Sequence, residues 1–382
     1  MPVFGEISAV VSELRELSPL ADTNLRFLPP TEFADWLEEQ FVEGAAEELA
    51  IDKAVLVTLD MIEPDFDLVS FIIELTKGDT MGAFDHEANE MVIRGDLQHI
   101  DIEEKIALAH EYAHNLQHQH FDIGTLPLDV QDNSDISMAT LSLLEGDATL
   151  ISFLYAMEYI GIAEWAEVDP TGDERLESAP LVIAANYLFP YIVGMEFVGQ
   201  LYLEGGWDAV NQAYANPPQS TEQLIHVDKY LGHDEPQEVV MPDLQSALGG
   251  EWSQLDTDVL GELNVRLYIQ TFLDNATAGA AAEGWDGDRY VYWEDLDRRG
   301  LLVMQSVWDT DEDAEEFFSA YIDLVDTKSL GTWDLTLSER GKKWWNDQKT
   351  SIYLSRSGDD VLLIIAPDET TVESILPHFA TY

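Results

Sequence analysis

Two histidines four positions apart, with a glutamate directly after the first, stand at His110-Glu111-Tyr112-Ala113-His114. On a helix, residues four apart lie one turn above each other on one face, so two imidazole nitrogens can meet on one small cation. A glutamate beside that face can take a proton from a water polarised by the metal. Such an arrangement suits zinc-dependent hydrolysis of an amide. Catalytic zinc usually takes three protein ligands, so a third donor must come from elsewhere in the chain.

Cysteine is absent from the 382 residues, which excludes disulfides and thiolate ligands and leaves His, Asp and Glu as donors. Three candidates compete. His118 continues the four-residue spacing, but a helix carries it roughly 12 Å along the axis from His110, too far for one ion. His120 completes an H-E-x-x-H-x-x-G-x-x-H spacing in which a glycine normally folds the chain back. Gln117, a good helix former, occupies that glycine position and disfavours the turn. Glu145 lies in an otherwise apolar stripe of Leu141, Leu144, Ala148 and Ile151, where a carboxylate is costly unless it is paired or binds a metal. Gly146 beside it would let another helix come close. Glu145 is therefore the expected third ligand, with His120 as the alternative. Asp147 is read as either a partner that orients a ligand histidine or a solvated residue.

These residues have company. The chain also carries Gly82-Ala83-Phe84-Asp85, the motif with Asn115-Leu116-Gln117 and His120-Phe121-Asp122, and Leu144-Glu145-Gly146-Asp147-Ala148. Further on stand Pro217-Pro218-Gln219-Ser220-Thr221-Glu222-Gln223 with His226 and Tyr230, and Gly284-Trp285-Asp286-Gly287-Asp288-Arg289-Tyr290. In these features the chain resembles a group of bacterial gluzincin-type metallopeptidases, often extracellular or lipid-anchored. The resemblance covers much of residues 80–320. It implies a His, His, Glu zinc site of the thermolysin type, a peptide or protein substrate, and an extracellular or cell-surface location. In gluzincins a downstream His or Tyr stabilises the tetrahedral oxyanion; His226 and Tyr230 are the residues that match here. The chain departs from the group at its start, where Met1 to Glu6 lacks the basic and apolar regions of an export signal.

Several elements must position these groups. Apolar spacing predicts helices over 6–17, 31–50, 54–62 and 68–76, and a strand over 24–28. A hairpin over 81–84 and 90–94 precedes the motif helix, 101–119, whose first turn is acidic. Such a strand edge can pair with an extended substrate. A long apolar helix over 137–160 carries Glu145. After a polar break over 161–174, an apolar segment over 181–202 is interrupted at Pro190, and a short helix runs over 207–214. Beyond residue 250 the order is a helix over 260–273, strands over 289–293 and 301–305, a helix over 311–325, a hairpin over 351–355 and 361–365, and a last helix over 371–379. The fold class is α+β: a mostly helical zincin-like domain over 1–250 and a ββα-ββα domain over 251–382.

Composition narrows the partners. Acidic residues number 75 against 18 basic, a formal net charge of −57, which repels nucleic acid and anionic membrane surfaces. A surface adapted to high salt accounts for this, with an acidic habitat as the rival. Hydrophobic residues at 46% allow a sizeable core, and no run of about 18 apolar residues indicates a membrane span. The run Asp309-Thr310-Asp311-Glu312-Asp313 lacks the glycine and closing glutamate of a calcium loop and reads as a capped helix start. Trp344-Trp345, Trp285 and Trp293 read as packing residues, with substrate or partner binding as the alternative. The function expected is zinc-dependent peptide hydrolysis with Glu111 as general base; the alternative is a non-catalytic binder of peptides or partners on a peptidase fold.

Overall fold

Alternation along two neighbouring strands shows how the C-terminal half is layered. In one strand Val361, Leu363 and Ile365 enter one apolar cluster while Leu362, Ile364 and Ala366 enter another; in its neighbour, Leu302 and Met304 oppose Leu301 and Val303 in the same way. A sheet buried on both faces produces this pattern. The structure, a computed structural model, describes residues 2–79, 81–85, 88, 90–95, 100–160, 174–329, 333–339, 341–347 and 349–379. The polar break expected over 161–174 lies almost wholly outside them.

The first half comprises α1 (Pro2–Arg15), β1 (Asn24–Leu28), α2 (Pro30–Thr58), α3 (Leu68–Asp79), β2 (Gly82–Asp85), β3 (Glu90–Arg94), α4 (Ile102–His120) and α5 (Ser134–Tyr159). It continues with α6 (Glu174–Ser178), α7 (Leu181–Ala215), α8 (Thr221–Ile225), α9 (Val227–Gly232) and α10 (Gln245–Leu248). The second half comprises β4 (Trp252–Asp258), α11 (Gly261–Gln270), α12 (Asn275–Ala282), β5 (Trp285–Asp295), β6 (Gly300–Trp308) and α13 (Asp311–Ser329). Strands β7 (Asp334–Glu339), β8 (Lys342–Asn346), β9 (Ser351–Ser357) and β10 (Asp360–Ala366) precede α14 (Glu369–Ile375).

The class is α+β, with a helical region followed by a sheet region. The expected hairpin is the antiparallel pair β2–β3, and β1 adds to it in parallel, giving the order β1-β3-β2. The C-terminal sheet is larger than expected: seven antiparallel strands in the order β4-β5-β6-β10-β9-β8-β7. Two expected helices, 31–50 and 54–62, are one helix, α2, because Ile51, Asp52 and Lys53 include no breaker. Pro190 sits inside α7 without dividing it, and the break comes instead at Gly205 and Gly206, where Gly206 takes φ 65°.

The halves share their main core. Leu116, Leu143, Ile151 and Phe197 belong to the same buried cluster as Tyr268, Trp285, Trp308, Phe317 and Tyr321. Trp285, Trp293 and Trp345 are therefore packing residues, each almost wholly buried. Two buried aspartates, one in each half, order the backbone on either side of the seam. Asp288 accepts from the backbone N–H of Leu260 and of Gly261, both at 3.0 Å, and from the Trp285 indole at 2.9 Å. Asp135, at the start of α5, accepts from Thr221 Oγ1 at 2.6 Å and from its N–H. Gly261 lies between them with φ 72°, and a Cβ there would collide with the Asp135 carboxylate. The acidic run at 309–313 opens α13, with Thr310 and Asp313 bonded to each other at 2.7 Å.

By length and composition α7 could cross a membrane, with a mean hydropathy of 1.6 over its best window. It packs along α5, however, and buries Phe197, Val198 and Leu201 in the main core, so among the described residues no clear membrane span emerges.

Candidate metal centre

The motif helix is fixed at its start and along one side. Asp101 and Glu104 form a reciprocal capping box: the Glu104 N–H reaches Asp101 at 2.9 Å, and the Asp101 N–H reaches Glu104 at 2.8 Å. Leu108, Ala109, Ala113 and Leu116 sink into the core and set the rotation of the helix. That rotation turns His110 and His114 toward α5. Helix α5 is in turn pinned against α7, because Gly146 and Gly194 leave no side chain between the two backbones.

Three side chains converge where α4 faces α5. His110 Nε2 lies 3.1 Å from Glu145 Oε2, His114 Nε2 lies 3.4 Å from the same oxygen, and the two Nε2 atoms are 3.1 Å apart. Two bonds of about 2.1 Å at the tetrahedral angle separate ligand atoms by roughly 3.4 Å, so the spacing of this trio is close to what a small cation such as zinc would take. The donor set fits too: two imidazoles and a carboxylate, without cysteine. Among the described residues this is the one group of three such side chains whose ligand atoms meet.

Gln117, one turn beyond His114, takes part without being a ligand. Its Oε1 is 2.8 Å from His114 Nδ1, and its Nε2 donates to the Leu144 carbonyl at 3.0 Å. Sequence reading weighed Gln117 only as a helix former. Its position three residues after the second histidine, on the same helix face, is the signal that could have found it.

Glu111 is buried beside the trio, 7% exposed. Burial raises its carboxyl above the usual range, the two histidines pull it back, and Glu145 pushes it further up. Strand β2 approaches closely here: a Cβ on Gly82 would stand 2.7 Å from Glu111 Cγ. Burial alone would lower His114, yet the Glu145 carboxylate and Gln117 carry it up to about 9. Burial alone would raise Glu145, yet the two histidines hold it well below the usual carboxylate range. The pocket thus has a strong preference for positive charge next to Glu145.

Tyr191, on α7, sets its ring 6.3 Å from the His110 ring. It was hidden in the sequence by the apolar run around Pro190. His118 stays on α4 and packs against Phe84, with ring centres 5.4 Å apart. His120 reaches the Ser18 carbonyl at 2.7 Å, since α4 runs unbroken to its end and does not turn back. His226 pairs with Glu262 at 3.0 Å, which raises its pKa. Tyr230 donates to the Asn216 carbonyl at 2.9 Å and packs edge-on against Phe197. The contacts of His226 and Tyr230 among the described residues lie with these partners, and the structure does not join them to the trio.

Asp147 is neither solvated nor bonded to a ligand histidine. It is 1% exposed and accepts from Arg15 Nε at 2.8 Å and from Tyr214 OH at 2.7 Å. Arg15 also reaches Asn211 at 2.8 Å and lies 4.3 Å from the Trp207 ring centre. This buried network ties α1, α5 and α7 together behind the His110, His114 and Glu145 trio.

A family model described as "Domain of unknown function (DUF8575)" matches residues 250–376, the sheet region and α11 to α14. No curated protein matches the chain, and no solved structure does.

Proposed function

We propose that the chain is a zinc-dependent metallopeptidase of the gluzincin kind that hydrolyses peptide bonds in peptides or proteins. The observation that carries this reading is the convergence of His110, His114 and Glu145 on one point with buried Glu111 alongside. The three converging residues would hold the ion. Bound there, zinc supplies Lewis-acid polarisation of a carbonyl oxygen and of a water.

The chain's own residues do the rest. Glu111 takes a proton from the attacking water and returns it to the leaving amine; its burial raises its basicity toward that task. Tyr191, whose ring lies 6.3 Å from the His110 ring, would supply the hydrogen bond to the developing oxyanion. Strand β2 lies at the edge of its sheet and against Glu111, so an extended peptide can add to that edge with its backbone directed past the base.

The test is a Glu111→Gln variant, assayed with zinc in molar salt on a panel of peptides beside His110→Ala and Glu145→Ala. Glu111→Gln should keep its zinc and lose hydrolysis by a factor of about 10²–10⁴, whereas the other two should lose zinc. Undiminished cleavage by Glu111→Gln overturns the reading.

A further inference from the structure

We propose that Gln117 is a positioning residue that fixes the ring-nitrogen protonation of His114 and clasps the two ligand-bearing helices together. The proposal rests on the zinc reading above.

A carbonyl oxygen can only accept a hydrogen bond. The end of the Gln117 amide that faces the Leu144 carbonyl must therefore be the NH₂ end, and the 3.0 Å separation is an N–H···O distance. With that end fixed, Oε1 is the atom 2.8 Å from His114 Nδ1. An amide oxygen also only accepts, so Nδ1 carries the hydrogen. A neutral imidazole holds one ring proton, and with it on Nδ1 the lone pair is left on Nε2. That is the nitrogen turned toward Glu145 and His110. One backbone carbonyl on α5 thus dictates, through one side chain, which nitrogen of a residue on α4 can bind a cation.

The same amide spans the gap between the helices. Its acceptor end grips one metal ligand, and its donor end grips the residue directly before another, Glu145. Gln117 is 2% exposed, so water does not compete for either bond. A glutamate there could accept from Nδ1 but could not donate to Leu144 while ionised. A methionine would fill the volume and do neither.

The experiment measures zinc affinity by chelator competition for the unsubstituted full chain, Gln117→Met and Gln117→Glu, with the visible spectrum of cobalt in the site as a second reading. Gln117→Met should bind zinc about 10–100-fold more weakly and show an altered cobalt spectrum. Gln117→Glu should recover part of the affinity. Equal affinity and an identical spectrum for Gln117→Met and the unsubstituted chain overturn the proposal while the zinc reading stands. Failure of the unsubstituted chain to bind zinc overturns both. Should Gln117→Met not fold, long-range ¹H–¹⁵N histidine spectra of the zinc-loaded unsubstituted chain decide. Binding of His114 through Nε2 with Nδ1 protonated supports the proposal, and binding through Nδ1 overturns it.

Discussion

Gly146 and Gly194 bring the backbones of α5 and α7 into direct contact one residue away from Glu145. A Cβ on Gly146 would stand 2.2 Å from the Gly194 carbonyl carbon and oxygen and 2.7 Å from the Met195 nitrogen. In an exposed helix, replacing glycine by alanine gains up to about 1 kcal/mol. Here the methyl must push two backbones apart, and overpacking of this kind costs about 1–3 kcal/mol or more. Gly146→Ala should lower the denaturation midpoint and, by shifting Glu145, weaken zinc binding. A variant as stable as the unsubstituted chain would show that the helices can separate freely.

The oxyanion donor can be assigned by comparing Tyr191→Phe with His226→Ala. Loss of one such donor typically costs about 10²–10³ in kcat. The expected outcome is that loss in Tyr191→Phe, with zinc content and KM little changed. If kcat falls in His226→Ala and holds in Tyr191→Phe, the role belongs to His226.

The Arg15–Asp147 pair is fully buried, with both side chains 1% exposed. Removing one partner leaves an uncompensated charge in the interior, which costs about 3–5 kcal/mol. Arg15→Met should therefore be among the most damaging single changes away from the centre. Urea titration checks this, and because the pair is dry the loss should persist in molar salt.

Stability should fall as pH rises from about 3.8 through about 6. Burial raises the Asp288 carboxyl from its ordinary 3.8 to about 6, and nearby Asp258 adds to the shift while three hydrogen bonds oppose it. A folded-state value above the unfolded one means that the native chain holds the proton more tightly. The stabilisation is complete below about pH 3.8 and is lost as pH climbs through about 6. Repulsion within a net charge of −57 acts in the same direction but is screened by salt. Melting in molar salt at pH 4.5 and 7 should retain the Asp288 part of the decline, and Asp288→Asn should reduce it. At pH 7, melting temperature should rise from dilute buffer to molar salt; an unchanged value would count against a salt-adapted surface.

What the sequence made legible follows from signal range. The motif helix was legible because its cap, periodicity and histidines lie within twenty residues. Glu145 was legible because a carboxylate in an apolar stripe demands a reason. Asp147 was not, since its partner Arg15 is 132 positions away and no local pattern announces it. Strands β4, β7 and β8 escaped notice because Trp252–Asp258 and Lys342–Asn346 lack the alternation that marks a half-buried strand, while Asp334–Glu339 offers only two leucines and is largely exposed. Tyr191 was lost among apolar neighbours for the opposite reason.

The shared core also bears on what a fragment can do. A family model matches residues 250–376, yet Trp285, Tyr268 and Tyr321 pack into the same interior as the motif helix, and Gly261, whose N–H is held by Asp288, meets Asp135 at the start of α5. Cut at residue 250, each piece would carry an uncovered apolar face. The two regions are then expected to melt in one cooperative transition, so that a lesion in the sheet would be felt at the histidines as lost population of the native state.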